Sequence, residues 1–404
     1  MAAQDIGRAA AALAAAPGDL THWLELATWL AAEGKLADAD DAFAKLGEAA
    51  NRGGHVALAV ACSRWLIARR ADAAGALVDE IASTHAAGSP KVDPTARPPL
   101  PAPRAAPPSA APVKDLDDAL AAAKQAIDAA AAHAVAHAPA KYPPMPLVSS
   151  LPAAELSALV EVMTQRAVPA NTVVIELGAP ADALFWIARG AVRATRGEHV
   201  LGELASGAFF GEIALVGGTT RTAKVTTIED SWLIEIPADK LEAVAARQPR
   251  LARVLANHAR ARLLSNLVRT SELFARMSEE DRAELLGRFS TTLVPAGHTF
   301  IEAGKENDFL WVVVSGKCEV RGPDGSIAQI GPGEGVGEMS LLARKPAVAD
   351  VVTTAPTAML RLAREEFESI AIKYPELLAE VYKLVVSREQ QNRAQVVDAS
   401  DLVV

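Results

Sequence analysis

The feature that most constrains the fold of this chain is an internal repeat in its second half. The segments IELGAPADALFWIARGAVRATR and GAFFGEIALVGGTTRTAKV recur 126 positions later, without a gap, as IEAGKENDFLWVVVSGKCEVRG and GEGVGEMSLLARKPAVADV. Glycine recurs where a backbone turns with positive φ or passes close to another group, so shared glycines predict that both copies have one backbone. The paired positions are Gly178 and Gly304, Gly190 and Gly316, Gly207 and Gly333, Gly211 and Gly337, Glu212 and Glu338, Leu215 and Leu341, and Ala223 and Ala349.

Each copy has the pattern of a compact β structure. Short segments rich in β-branched and aromatic residues, such as Ala183–Ala188 and Ser231–Ile236, alternate with turns that contain glycine. This pattern predicts an antiparallel barrel or jelly roll with flanking helices. These helices include Leu251–Val268 after the first barrel, and Glu279–Phe289 before and Glu376–Arg393 after the second. We expect the first domain at 147–270, the second at 271–396 and a short tail at 397–404.

The first part of the chain has a different, helical character. Residues 1–87 are predicted to be α-helical, and the layout of Asp19–Leu46 resembles a tetratricopeptide repeat, although a generic helical hairpin uses small residues in a similar way. Residues 88–112 form a Pro/Ala tract with little to bury, which predicts a disordered linker, and 113–140 predict an exposed Ala-rich helix. The whole chain is therefore expected to be multidomain α+β, with a helical docking region on a flexible tether.

The FGEIAL and TRTA segments of the first copy carry a more specific signal. A Gly-Glu-x-x-Leu motif is followed by an arginine, Arg221, nine residues after Glu212. This arrangement is similar to the phosphate-binding cassette of cyclic-nucleotide-binding domains, the family that includes the regulatory subunits of protein kinase A and the catabolite activator protein. The resemblance covers roughly 147–396.

The resemblance implies a role for each cassette residue. Arg221 offers a planar fork to the phosphate, Glu212 accepts a hydrogen bond from the ribose 2′-OH, and Thr222 adds a hydroxyl. Backbone N–H groups of Ala214 and Ala223 face the anion. We favour cAMP as the ligand, with cGMP left open, and expect the base to be covered by the helix after the barrel or by the neighbouring domain. The predicted ligand-binding set is Phe210, Gly211, Glu212, Ile213, Ala214, Arg221, Thr222 and Ala223.

The second copy departs from this pattern at the residues that would hold a phosphate. Gly337 and Glu338 are retained, but Ala347 stands at the arginine position and Val348 at the threonine position. Losing a buried charge-assisted bond lowers affinity by roughly 2–5 kcal/mol, so we expect this degenerate site not to bind nucleotide. The domain would instead dock a partner, form a homodimer or cap the first site.

Composition and the remaining motifs exclude several classes of function. A net charge of −9 and the short VVDASDLVV segment after the last predicted helix argue against DNA binding, and we expect no membrane span. The two cysteines, Cys62 and Cys318, indicate reduced thiols in a cytoplasm. No nucleophile–base pair or metal-ligand cluster occurs, so we expect a non-enzyme without cofactor or metal, whose partners are a cyclic nucleotide and a protein effector. The alternative is a scaffold in which neither barrel binds a ligand.

Overall fold

Five helices form the N-terminal region, in agreement with the helical pattern of the sequence. The computed structural model describes residues 2–97, 115–217, 219–270, 287–323 and 325–374, together with 378–379, 381–383 and 385. The carboxylate of Asp19 accepts a hydrogen bond from the Thr21 N–H (2.8 Å) at the start of the second helix, and Gly34, at φ 72°, follows its end. The tetratricopeptide character remains a prediction. The helices are α1 (Ala2–Ala15), α2 (Leu20–Ala32), α3 (Leu36–Arg52), α4 (Val56–Leu66) and α5 (Ala71–His85).

The Ala-rich helix predicted at 113–140 is α6 (Leu116–Ala136), and it is not an exposed helix. One face of the helix forms a buried stripe against α1 and α3, made of Ala119, Ala123, Ala126, Ile127 and Ala130. Alanine at helical spacing leaves a flat face that lets neighbouring helices approach closely. The prediction of an exposed helix did not take this packing into account. Lys45 of α3 also reaches Asp128 of α6, with 2.7 Å between Nζ and Oδ1.

The described part of the Pro/Ala tract is ordered, contrary to the prediction of a disordered linker. The Asp93 N–H donates to the Tyr142 carbonyl and the Tyr142 N–H donates to the Lys91 carbonyl, each at 2.8 Å. The Tyr142 hydroxyl donates to the Arg52 carbonyl at 2.8 Å, which ties this segment to α3. Residues 98–114, which hold the rest of the predicted linker, lie outside the described residues.

The first barrel consists of two four-stranded antiparallel sheets, in the orders β1-β8-β3-β6 and β2-β7-β4-β5, with apolar side chains between them. A 3-10 turn (Val148–Ser150) and α7 (Ala153–Glu161) precede it. Its elements are β1 (Thr164–Val168), β2 (Val173–Ile175), β3 (Ala183–Arg189), β4 (Ala191–Arg196), β5 (His199–Ala205), β6 (Phe209–Phe210), α8 (Glu212–Gly217), β7 (Lys224–Thr227), β8 (Ser231–Pro237), α9 (Ala238–Arg247) and α10 (Pro249–Thr270).

The second barrel repeats the first with the 126-residue register. The jelly-roll prediction is confirmed, and each element from β1 to α9 has its counterpart at the predicted offset to within one residue. The helices predicted at Glu279–Phe289 and Glu376–Arg393 lie mostly outside the described residues. The elements are β9 (Ser290–Val294), β10 (Thr299–Ile301), β11 (Phe309–Ser315), β12 (Cys318–Gly322), β13 (Gly325–Ile330), β14 (Gly335–Val336), α11 (Glu338–Ala343), β15 (Asp350–Thr353), β16 (Thr357–Ala363) and α12 (Arg364–Lys373).

The helical region, which the sequence predicts to be a separate docking head, packs directly on the first barrel. Trp232 of β8 stacks on Phe43 of α3 and Trp65 of α4, with ring centroids 5.6 and 6.3 Å apart. Helices and barrel thereby share one apolar cluster. The position equivalent to Trp232 in the second barrel is Ala358, which offers no such stack. None of the described helices combines the length and the apolar character needed to cross a lipid bilayer.

The aromatic stack predicts a large effect of Trp232→Ala. Truncating a buried tryptophan leaves a cavity and removes the contact with Phe43 and Trp65, so we expect a loss of about 3–5 kcal/mol in the free energy of unfolding. Denaturant unfolding measures the loss, and hydrogen exchange shows faster exchange in α4. The exposed Ile372→Ala serves as control, and equal effects of the two substitutions would contradict the stack.

The buried imidazole of His85 predicts a loss of stability at acid pH. Burial lowers its pKa from 6.5 to about 4, although its hydrogen bond with the Asn51 carbonyl acts in the opposite direction. The unfolded chain therefore binds the proton more readily, and the free energy of unfolding falls as the pH drops from about 6.5 to about 4, by up to about 3 kcal/mol. Chemical denaturation across this range should show that the free energy of unfolding of His85→Gln depends less on pH than that of the unmodified chain. Equal pH dependence in the two proteins would refute the assignment to His85.

Candidate functional site

All eight residues predicted for the first site line one cavity. The cavity has a volume of about 220 Å³ and lies between the β6–α8 turn and the segment that leads into β7. Strands β2, β4 and β5 supply the opposite wall, and α10 closes one side. The predicted residues in its wall are Phe210, Gly211, Glu212, Ile213, Ala214, Arg221, Thr222 and Ala223.

Gly211 is needed for two reasons at the start of this cassette. Its φ is 91°, a conformation that residues with a Cβ rarely adopt. A Cβ there would also lie 2.7 Å from Nη1 of Arg221 and 3.3 Å from the Ala183 carbonyl oxygen. The glycine therefore leaves room for the arginine head group at the base of the cavity.

Arg221 is almost completely buried and is held in place by the backbone. Its Nη1 donates to the Gly211 carbonyl (3.0 Å), and its Nη2 donates to the Ala183 carbonyl (2.8 Å) and to Asp182 Oδ1 (2.8 Å). A guanidinium has five N–H donors, so these three bonds leave two of them for another acceptor. The buried cation is thus oriented before any anion arrives.

Glu212 presents a carboxylate to the same cavity. The residue is 2% exposed, and its Oε1 has no hydrogen-bond partner in the described part of the chain. Arg262 of α10 approaches with its Nε 3.4 Å from this oxygen, which is an ion pair without hydrogen-bond geometry. A buried carboxylate oxygen left in this way can accept a bond from a hydroxyl group.

Helix α10 adds residues that the sequence reading did not name. Arg262 and Asn266, four residues apart, line the cavity, and His258 lies one turn earlier on the same face. Burial lowers the pKa of His258, and Arg262 acts in the same direction, while Glu212 raises it. The sequence predicted this helix as a cover for the site, but a polar face at this spacing looks the same as a solvent-exposed one.

Arg196 of β4 is a second residue that the sequence reading missed. Its Nε and Nη2 both donate to the Thr222 carbonyl, at 3.0 and 2.7 Å, so it holds the cassette segment from outside the cavity. Burial lowers its pKa below the ordinary value for arginine. The equivalent position in the second barrel is Gly322, so that barrel has neither this arginine nor a counterpart of Arg221.

The second cassette keeps the backbone of the first but differs in its side chains. Gly337 has a φ of 90°, and Glu338 is 2% exposed. Ala347 lies in the apolar core of the barrel, whereas Val348 is 69% exposed. Arg344 points to the surface, where it pairs with Glu368 at 2.6 Å.

Two regions of the chain, 165–248 and 292–374, match the family model described as the cyclic nucleotide-binding domain. The chain contains a tandem pair of cyclic nucleotide-binding domains. Each match covers one barrel, from its first strand to the helix after its last strand. The two cyclic nucleotide-binding domains are therefore the first and second barrels described above.

Several curated proteins and solved structures resemble this chain. The cGMP-dependent protein kinase egl-4 of Caenorhabditis elegans is 27% identical over 216 residues, which cover 52% of this chain and 27% of the kinase. The cyclic nucleotide-gated potassium channel mll3241 of Mesorhizobium japonicum is 32% identical over 110 residues, which cover 27% of this chain and 30% of the channel. The regulatory domain of Toxoplasma gondii PKA with cAMP is 20% identical with a TM-score of 0.29, covering 61% of this chain and 92% of that one. The chain spans less than a third of the length of these two curated relatives.

The two bonds from Arg196 predict a local effect of Arg196→Met. The variant leaves the Thr222 carbonyl without its donors, so we expect a loss of about 1–3 kcal/mol in the free energy of unfolding. Hydrogen exchange of the segment 221–223 should become faster. Arg193→Met, on the same strand, removes only an exposed ion pair with Glu203 and should cost less than about 1 kcal/mol. Equal effects in the two variants would contradict the assignment.

Proposed function

We propose that the first domain is a cyclic nucleotide sensor and that the chain acts through protein contacts rather than catalysis. The observation that carries the proposal is the burial of Arg221 and Glu212 in the wall of one cavity, each with unused hydrogen-bonding capacity. A cyclic nucleotide needs a cation for its phosphodiester and an acceptor for its ribose hydroxyl. Both groups are present within a single cassette.

The phosphate half of the ligand is assigned to Arg221 and its neighbours. The two N–H donors that its bonds to Gly211, Ala183 and Asp182 leave unused are suited to the phosphate oxygens. Thr222 contributes its hydroxyl, while Ala214 and Ala223 contribute backbone N–H groups. Arg196 acts as a positioning residue, because it holds the Thr222 carbonyl and adds positive charge nearby.

The ribose and the base are assigned to the opposite side of the cavity. Glu212 accepts a hydrogen bond from the ribose 2′-OH and shares its charge with Arg262. Arg262 and Asn266 cover the base from α10, where a guanidinium plane can stack and an amide can read a base edge. We favour cAMP over cGMP, with Thr222 as the residue that could also contact a guanine amino group.

Signal transmission is assigned to the contact between the two domains. Ile213 and Val216 of α8 and Ala259 of α10 belong to an apolar cluster with Phe289 and Leu341 of the second domain. Ligand binding that orders the cassette would thus change a surface that the second domain already contacts. A protein effector would respond through the second domain or the helical region.

The proposal also covers the absence of an enzymatic reaction and the cellular location of the protein. We assign no reaction to the chain, and we place it in a cytoplasm because Cys62 and Cys318 are buried free thiols. Burial raises the pKa of Cys318 to about 11, which keeps it unreactive at neutral pH. The alternative function is a scaffold in which neither barrel binds a nucleotide.

Calorimetric titration of the full chain with cAMP and with cGMP tests the proposal. We expect one equivalent of ligand to bind, tighter for cAMP. Arg221→Ala should weaken binding by at least about 30-fold, since a buried charge-assisted bond contributes roughly 2–5 kcal/mol. Glu212→Gln should weaken it by a smaller factor, because a neutral oxygen still accepts the ribose hydroxyl.

Arg344→Ala is the matched control, since Arg344 is an exposed arginine near the second cassette. Its binding should equal that of the unmodified chain, and circular dichroism should show that every variant is folded. No heat with either nucleotide at high micromolar concentration would refute the sensor and favour the scaffold. A stoichiometry of two would refute the assignment of the second domain as silent.

A further inference from the structure

The second cassette has kept the backbone acceptors that Arg221 satisfies in the first. In the first domain this arginine donates to the carbonyls of Gly211 and Ala183 and pairs with Asp182. With the 126-residue register, the equivalent carbonyls belong to Gly337 and Phe309. Because Ala347 replaces the arginine, these buried acceptors need a donor from another position.

Asn307 supplies that donor. Its Nδ2 donates to the Phe309 carbonyl at 2.7 Å and to the Gly337 carbonyl at 3.2 Å, and the residue is 7% exposed. A Cβ on Gly337 would lie 2.6 Å from this nitrogen, as one on Gly211 would lie 2.7 Å from Nη1 of Arg221. The amide nitrogen of Asn307 therefore occupies the place of the guanidinium. The equivalent position in the first domain is Ala181.

The side-chain oxygen of Asn307 is also used within the domain. It accepts a hydrogen bond from Nε1 of Trp311 at 3.2 Å, and Trp311 stands at the position of Phe185 in the first domain. It also accepts from the Phe309 N–H at 3.4 Å, so the amide is oriented by two donors on one side and by two acceptors on the other. Unlike a guanidinium, it carries no charge for a phosphate.

In the second domain the positive charge that pairs with the aspartate comes from a helix. Asp308, the counterpart of Asp182, pairs with Arg364 at the start of α12, with 3.0 Å between Nε and Oδ1. Nη1 of Arg364 donates to the Leu341 carbonyl at 2.6 Å, and Nη2 donates to the Asn307 carbonyl at 3.1 Å. The counterpart of Arg364 in the first domain is Ala238. Arg364 therefore joins α12 by one bond to α11 and by two bonds to residues 307 and 308, none of which the alanine of the first domain can make.

We propose that Asn307 and Arg364 form an internal lock that holds the second cassette in one conformation without any ligand. Asn307 acts as a positioning residue in place of the missing arginine, and Arg364 fixes the cassette helix to α12. Leu341 of this helix lies in the same apolar cluster as Ile213 of the first cassette. The second domain is thus a rigid support for the first cassette. This consequence rests on the proposed sensor function, whereas the existence of the lock does not.

Hydrogen exchange of the full chain tests the lock in the segment 336–349. We expect slow exchange there in the absence of any nucleotide. Asn307→Leu has a similar volume but no donor, and it should speed exchange by at least about tenfold, the factor for about 1.4 kcal/mol. Exchange in Asn307→Leu that equals that of the unmodified chain would overturn the proposal. In Arg221→Ala the first site is disabled, so slower exchange of segment 336–349 on adding cAMP to this variant would also overturn it.

A transplant into the first domain gives a second test, which also decides the matter if Asn307→Leu fails to fold. Arg221→Ala should speed exchange in the segment 211–217, and adding Ala181→Asn should restore slow exchange there without restoring nucleotide binding. A double variant that exchanges as fast as Arg221→Ala alone would overturn the role of Asn307. If the unmodified chain binds no nucleotide, the sensor proposal fails, while both exchange comparisons still test the lock.

Discussion

Each barrel has to supply a buried donor to two backbone carbonyls at the start of its cassette helix. The glycine that opens the cassette turns with a positive φ, and its carbonyl then points into the interior, next to a carbonyl from the neighbouring strand. An unpaired buried carbonyl costs about as much as a lost hydrogen bond, so the backbone requires a partner there. The first domain meets this requirement with Arg221 and the second with Asn307.

The two donors differ in the hydrogen bonds and charge that they leave over for a ligand. A guanidinium has more donors than the two carbonyls need, and its positive charge can be shared with an anion in the cavity. A carboxamide has two donors on its nitrogen, both of which Asn307 uses, and no charge. The same structural need is therefore compatible with a ligand site in one barrel and with a self-contained cassette in the other.

The surroundings of the two barrels differ for a similar reason. Trp232 on the outer face of the first barrel stacks with Phe43 and Trp65, which joins the helical region to it. Ala358 at the equivalent position of the second barrel has no ring to offer. The first domain thus lies between the helical region on one side and the second domain, through Ile213 and Ala259, on the other. Any change in its cassette acts on a domain that is held from both sides.

Local patterns in the sequence determined the fold of each barrel and the residues of the first cassette. Positive-φ glycines, the 126-residue register and the Gly-Glu-x-x-Leu motif act over short distances, so they can be read from neighbouring residues. The tertiary structure alone decided which distant residues meet. Arg262 reaches Glu212 from α10, Arg196 reaches Thr222 from β4, and Asn307 replaces an arginine that stands forty residues later in the repeat. It also decided that one alanine face of α6 is buried and that the helical region is attached to the first barrel, because a small side chain or an aromatic ring on the outside of an element acquires a role only once a partner surface lies against it.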